Sequence, residues 1–263
     1  MTLDHLAHIR ENSARFGAVL RDAPADGQVP TCPEWRSDDL IWHLAEVQWF
    51  WGTVVQTAVE DPEGIQHPAR PRDRAGLLAF FDEATTLLQT ALAETAPSER
   101  RWTWSDDHTA GFIRRRQAHE ALIHRVDAEL TADVSRAPMD PALCSDGVDE
   151  ALRVMFGGAP DWAKVELDPS ATLRVRATDT GQDWLVTLGT FSGTSPDSGK
   201  VYDGSPFVEV TDTGSGEAAA TIEGKAADLD CWLWGRPAVG ELTREGDEDV
   251  HARFQQIVAE GID

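Results

Sequence analysis

Before residue 132 the apolar side chains recur at intervals of three and four; after it they alternate. This change of period constrains the fold more than any other feature of the chain. A period near 3.6 belongs to helices with one buried stripe, and a period of 2 to strands with one buried face. Residues 3–22 place Leu6, Ile9, Ser13, Phe16 and Leu20 on one helix face. A loop at 23–36 follows, with Pro24, Gly27, Pro30 and Pro33. Ser37 then reads as the N-cap of a second helix, with Asp38 and Asp39 in the first turn, where carboxylates suit the helix dipole. That helix is expected to reach about Val59, with Leu40, Leu44, Val47, Trp51 and Val54 facing the core. Prolines mark residues 61–72 as a loop. A third helix is predicted over Arg74–Glu94, with Leu77, Phe81, Ala84, Leu88 and Ala91 on one side, and a fourth over Gly111–Thr131. Four amphipathic helices of this length predict a four-helix bundle, in which metal sites form from side chains on facing helices.

From Ala137-Pro-Met-Asp-Pro141, read as a linker, the pattern differs. A short helix is expected at Val148–Phe156, ending at Gly157-Gly158. Strands are expected at Ala171–Ala177, Trp184–Leu188 and Phe207–Thr211, with Asp179-Thr-Gly181 as a hairpin turn. Ala218–Glu223 is a further strand candidate, and Ala226–Trp234 reads as helix broken at Gly235-Arg-Pro237. Gly193–Gly199 and Thr213–Gly216 read as loops and not as phosphate cradles, since neither joins a strand to a helix. The predicted fold class is therefore α+β in two domains: a helix bundle over 1–135 and a small α+β domain with an antiparallel sheet over 146–263.

The charge narrows the function. A net charge of −23 opposes nucleic-acid binding, which draws its affinity from Lys and Arg. No apolar run reaches the length of a membrane span. The N-terminus has no basic region followed by an apolar one, so no signal peptide and a cytoplasmic location are expected. Cys32, Cys144 and Cys231 are few, odd in number and far apart, which argues for reduced thiols and against a thiolate metal site. Of ten Trp, most are expected to pack the core, with some left to wall a pocket.

Chemistry concentrates on the fourth helix. Residues three or four apart share a face, so Gln117, Glu120, His124 and Asp127 form one stripe that continues Ile113. A polar stripe turned towards a core is costly unless its groups are paired or bind something. Glu120 and His124 can offer a carboxylate oxygen and an imidazole nitrogen to one divalent ion, and His43, at the edge of the second helix's apolar face, a third donor. Three N/O donors with a fourth position open is the pattern of a catalytic zinc site. Against this stand plainer readings. A Glu-x3-His pair occurs on many solvated helix faces, and a lone core-edge His is commonly a hydrogen-bonded structural residue. Glu46 reads either as a carboxylate orienting His43 or as a solvated residue. Asp127 reads as a member of the stripe or as a partner of Arg125. His119, about 140° round the helix from His124, is not expected to share an ion. His5 and His8 are expected to be solvated, and Arg114–Arg116 to be a solvated face paired with acidic groups.

Pro33-x-Trp35, Asp39-Leu-Ile-Trp-His-Leu-Ala45, the Arg116–Asp127 helix and Trp232-Leu-Trp-Gly-Arg-Pro237 occur in that order. Together they resemble the mycothiol-dependent maleylpyruvate isomerase family of actinobacteria over essentially the whole chain. The resemblance implies a DinB-like four-helix bundle followed by the family's C-terminal domain. It implies a divalent metal, usually zinc, on the positions that match His43, Glu120 and His124, and an active-site arginine best matched by Arg236. It also implies mycothiol as thiol cosubstrate and a small, electrophilic, anionic substrate. Oligomeric state is open at this point, since two domains enclosing one site could work as a monomer. The expected reaction is thiol addition to an unsaturated acid, rotation, and elimination of the thiol. Three alternatives stay open: an S-transferase that leaves the thiol in product, a metal-dependent hydrolase with Glu46 as base, and a non-catalytic binding module. For Arg236 the plain reading is a helix-end arginine on the C-terminal dipole.

Overall fold

Asp4 starts helix α1 (His5–Asp22) by accepting from the backbone N–H of Ala7 at 3.0 Å. The same device recurs, with Asp73 opening α3 (Arg74–Glu94) and Thr109 opening α4 (Ala110–Thr131). Each side-chain oxygen satisfies an N–H that the helix leaves bare. Helix α2 (Ser37–Thr57) begins differently. Ser37 is its first helical residue and not its N-cap. Arg36 holds the cap position, with its N–H donating to Asp39 Oδ2 at 2.8 Å, while Ser37 Oγ accepts from Arg74 at 3.3 Å. The helix stops two residues short of Val59, where Ala58 turns into the left-handed region at φ 52°.

The computed structural model describes residues 3–196, 198–211 and 216–262. Asp197, and Thr213–Ser215 of the second glycine-rich loop, lie outside the described residues. The chain divides into two compact units, Met1–Pro138 and Met139–Asp263. In the first, α1 packs along α4 and α2 along α3, with α2 also meeting α4 and α1 meeting α3. This is the predicted four-helix bundle. Its core holds Phe16, Leu20, Leu40, Leu44, Phe81 and Ala84, all buried. Val47, expected inside, is only partly buried. Among the described residues no helix is long and apolar enough to cross a membrane.

The second unit opens with α5 (Pro141–Glu150), which starts well before the predicted Val148. Asp140 caps it by accepting from Ala142 and Leu143, and Pro141 sits at the first turn, where its missing N–H costs nothing. A π-helical turn at Ala151–Met155 continues it to Phe156. Five strands follow: β1 (Lys164–Ala177), β2 (Asp183–Thr194), β3 (Val201–Thr211), β4 (Ala220–Gly224) and β5 (Thr243–Gly246), in the order β3-β2-β1-β4-β5. The β1–β2 hairpin turns where Asp179-Thr-Gly181 predicted, with Gly181 at φ 73°. The sheet is mixed and not purely antiparallel: β4 runs parallel to β1, pairing Leu173 with Ala220 and Val175 with Ile222. Helix α6 (Ala226–Leu233) follows β4, and α7 (Glu248–Glu260) packs on β1, β2 and β4 through Val250, Phe254, Ile257 and Val258.

Candidate metal centre

Helices α2 and α4 bring three donor atoms together inside the first unit. His43 Nε2 lies 3.0 Å from His124 Nε2. Glu120 Oε1 lies 3.0 Å from His124 Nε2 and 3.4 Å from His43 Nε2. A zinc ion with bonds of about 2.0–2.1 Å in tetrahedral geometry sets its neighbouring donors about 3.3–3.4 Å apart. The triangle formed by these three atoms is close to one face of such a tetrahedron, and its N/N/O composition suits a borderline-soft divalent ion. The donors also differ in access. His124 is 8% exposed, Glu120 17% and His43 32%, so His43 is the most accessible of the three side chains.

Each donor is held by further groups. His124 Nδ1 is 2.9 Å from Asp127 Oδ2. A carboxylate only accepts, so this bond keeps the proton on Nδ1 and turns the Nε2 lone pair to the cluster. Asp127 is fully buried, and its other oxygen accepts from Thr31 Oγ1 at 2.6 Å. Arg116, itself 5% exposed, donates to Glu120 Oε2 at 3.3 Å and leaves Oε1 for the centre. The His43 ring lies 4.7 Å from the Trp35 ring. Charge follows this packing. Burial favours the neutral form of His124, but the Glu120 carboxylate and the Asp127 hydrogen bond outweigh it and raise its pKa to about 9. Burial likewise works against the Glu120 anion, and His124, His43 and Arg116 overcome it, holding the carboxyl well below its usual range. In the metal-free protein a proton on His124 Nε2 faces both other donors, the place a cation would take.

The other candidates fall elsewhere. Glu46 does not orient His43; its Oε1 lies 3.2 Å from His67 Nδ1. His119 is buried on another side of α4, its ring 6.2 Å from His5 of α1. His8 lies 4.0 Å from Glu11. Gln117 is buried at 1%. The Arg114–Arg116 run is not a solvated face: Arg114 donates to the carbonyls of Leu92 and Thr95 (2.6 Å to the latter), and Arg116 is buried. Cys144 and Cys231 are buried thiols and Cys32 is half-buried. In the second unit Arg236 follows α6 beyond Gly235 at φ 73°. Its N–H donates to Cys231 O at 2.7 Å and its Nη1 to Trp234 O at 2.6 Å, the helix-end contact of the plain reading. Spacing missed Thr31, because 96 residues separate it from Asp127. The Asp127–His124 pairing was within reach, since the two are three apart on one face.

Two family models match the chain. The mycothiol maleylpyruvate isomerase N-terminal domain matches residues 6–129, and the MDMPI C-terminal domain matches residues 142–253. No curated protein matches it by sequence. The fold is similar to a crystal structure of the mycothiol-dependent maleylpyruvate isomerase, with 15% identity, 92% of each chain covered and a TM-score of 0.59. A histidine-to-alanine mutant of that enzyme gives 15%, 92% of each chain and 0.57. At this identity the likeness speaks for the fold.

Proposed function

The chain belongs to the mycothiol-dependent maleylpyruvate isomerase family, and from that premise we propose that it is a metal-dependent enzyme that uses mycothiol to isomerise a small unsaturated acid from cis to trans. The observation that carries the reading is the triangle of His43 Nε2, His124 Nε2 and Glu120 Oε1, with edges of 3.0, 3.0 and 3.4 Å. These three residues would hold one divalent ion, with zinc the best fit to the donor set. When bound, such an ion lowers the pKa of a thiol at its open position and so supplies thiolate at neutral pH.

The reaction balances without a redox partner. The mycothiol thiolate adds to the double-bond carbon conjugated to a carbonyl, and the π pair moves onto the carbonyl oxygen. The former double bond, now single, rotates. Return of the electron pair expels the thiolate and leaves the trans acid. Asp127 holds His124 in one ring orientation, and Arg116 fixes the Glu120 carboxylate. The indole of Trp35, against His43, excludes water from one side of the cluster. Arg236 is the proposed partner for a substrate carboxylate or the developing enolate, a role suited to a planar, bidentate donor.

The test measures zinc by mass spectrometry in the wild type and in His124→Ala, with mycothiol binding in parallel. Mycothiol is then supplied well below the concentration of maleylpyruvate, and the acid is followed by proton NMR. About one zinc per chain, absent from the variant, and a full conversion to the trans isomer with mycothiol unconsumed support the proposal. Consumption of one thiol per product identifies an S-transferase. Well-folded protein that binds no metal when zinc is supplied in excess rejects the reading.

A further inference from the structure

The loop between α1 and α2 reaches the ligand cluster at two separate points. Thr31 Oγ1 donates to Asp127 Oδ1 at 2.6 Å, and Asp127 Oδ2 lies 2.9 Å from His124 Nδ1. Four residues on, the Trp35 ring lies 4.7 Å from the ring of His43. One short loop therefore bears on both histidines of the cluster, which come from different helices.

The loop is built to hold a position. Gln28 and Arg36 form an antiparallel bridge. Inside it Val29 N donates to Trp35 O at 3.1 Å, Cys32 N to Val29 O at 3.2 Å and Trp35 N to Cys32 O at 2.8 Å. Ser37 N donates to Gly27 O at 2.8 Å, and the Gln28 amide donates to Pro33 O at 2.6 Å and Trp35 O at 3.0 Å. Val29 is fully buried in the bundle core, and Cys32 and Trp35 pack against that core. Thr31 is thus presented from a braced frame.

We infer that Thr31 is a positioning residue of the metal centre, acting through Asp127 to fix the ring of His124. This rests on the metal-binding reading above. The physical argument is torsional. The carboxylate plane of an aspartate turns about a soft, broad torsion. A donor on each oxygen, Thr31 on Oδ1 and His124 on Oδ2, fixes that plane. The plane then fixes the direction of the Nδ1–H bond, and hence the direction of the Nε2 lone pair on the far side of the ring. Loss of the hydroxyl removes the restraint on Oδ1, so the direction of the Nε2 lone pair is less fixed before the ion binds. Groups that orient a ligating histidine contribute about 10–100-fold to metal affinity, and a partner one bond further out is expected at the lower end of that range.

The experiment determines zinc affinity by competition with a chromophoric chelator in wild type, Thr31→Val, Thr31→Ser, Asp127→Asn and the Thr31→Val/Asp127→Asn double variant. Melting of each metal-free protein runs alongside. The expected result is about tenfold weaker zinc binding in Thr31→Val and near-wild-type binding in Thr31→Ser. Metal-free melting should be lowered in Thr31→Val, which takes the Thr31 donor from the buried Asp127 Oδ1, and unchanged in Thr31→Ser. The double variant should bind no more weakly than Asp127→Asn alone, because the hydroxyl acts only through that carboxylate. Wild-type affinity in Thr31→Val overturns the inference. So does equal weakening in Thr31→Ser, and so do additive losses in the double variant. Absence of stoichiometric zinc from the wild type sinks the metal-binding reading itself, and is seen before any variant is compared.

Discussion

Glu120 and His124 sit one helical turn apart on α4, with Oε1 and Nε2 3.0 Å from each other, and His43 closes the triangle from α2. Because the donors come from two helices, the site depends on the bundle, while the bundle's core is built from apolar residues outside the triangle. His124→Ala and Glu120→Ala should lose most of the bound zinc while circular dichroism keeps the wild-type helical signal. Leu44→Ala is the contrasting change. Leu44 is fully buried beside His43 in sequence, and its truncation should cost about 2–5 kcal/mol in urea unfolding. A ligand variant that keeps full metal content removes that residue from the centre.

Under the proposed ligand set, metal and proton would compete for His124. Its pKa of about 9 in the metal-free protein lies above the ordinary 6.5, since the Glu120 and Asp127 carboxylates outweigh burial. A raised folded value stabilises the metal-free protein fully below 6.5, and the stabilisation fades as pH rises through about 9. Zinc needs Nε2 without its proton. Zinc affinity should therefore climb over that interval and level off above it, with proton release measurable by calorimetry in buffers of different ionisation enthalpy. The metal-free melting temperature should fall over the same interval. Zinc affinity that is flat with pH contradicts this.

Most helices were legible because each carries its own stripe; Leu77, Phe81, Ala84, Leu88 and Ala91 mark α3 without knowledge of any partner. Helix α7, absent from the predicted elements, has an equally readable signal, Asp247 before Glu248 and Asp249, then Val250, Phe254 and Ile257. Strand β5 has no such signal, since all four of its residues are exposed. The parallel pairing of β1 and β4 was not readable, because alternation marks a buried face and says nothing of direction. At the site, His43, Glu120 and His124 could be nominated from spacing and resemblance. The bond from Thr31 to Asp127 could not, because it exists only once the loop is folded against α4.

Gly52 marks a close approach of α2 and α3. A Cβ there would lie 2.9 Å from Leu87 Cγ and 2.9 Å from the backbone N of Leu88. Backbone cannot yield as a flexible side chain can, so the helices would have to separate. Gly52→Ala should gain helix propensity and still lose about 1–3 kcal/mol through overpacking. Equal or greater stability in thermal unfolding would show that the α2–α3 approach is looser than these distances require.

Arg236 separates chemistry from metal binding. It belongs to the second unit, where its Nη1 donates to Trp234 O at 2.6 Å, and none of the three proposed metal ligands is in that unit. Arg236→Ala should leave zinc content and mycothiol binding unchanged. If the guanidinium meets a carboxylate or enolate, the loss of a charge-assisted pair worth about 1.5–3 kcal/mol should lower kcat/KM about 10–100-fold. Arg236→Lys keeps the charge but not the planar fork, so it should recover only part of that loss. A helix-end arginine predicts the opposite pattern, a lower melting temperature with kcat/KM intact. Measuring both quantities on both variants decides between the two roles.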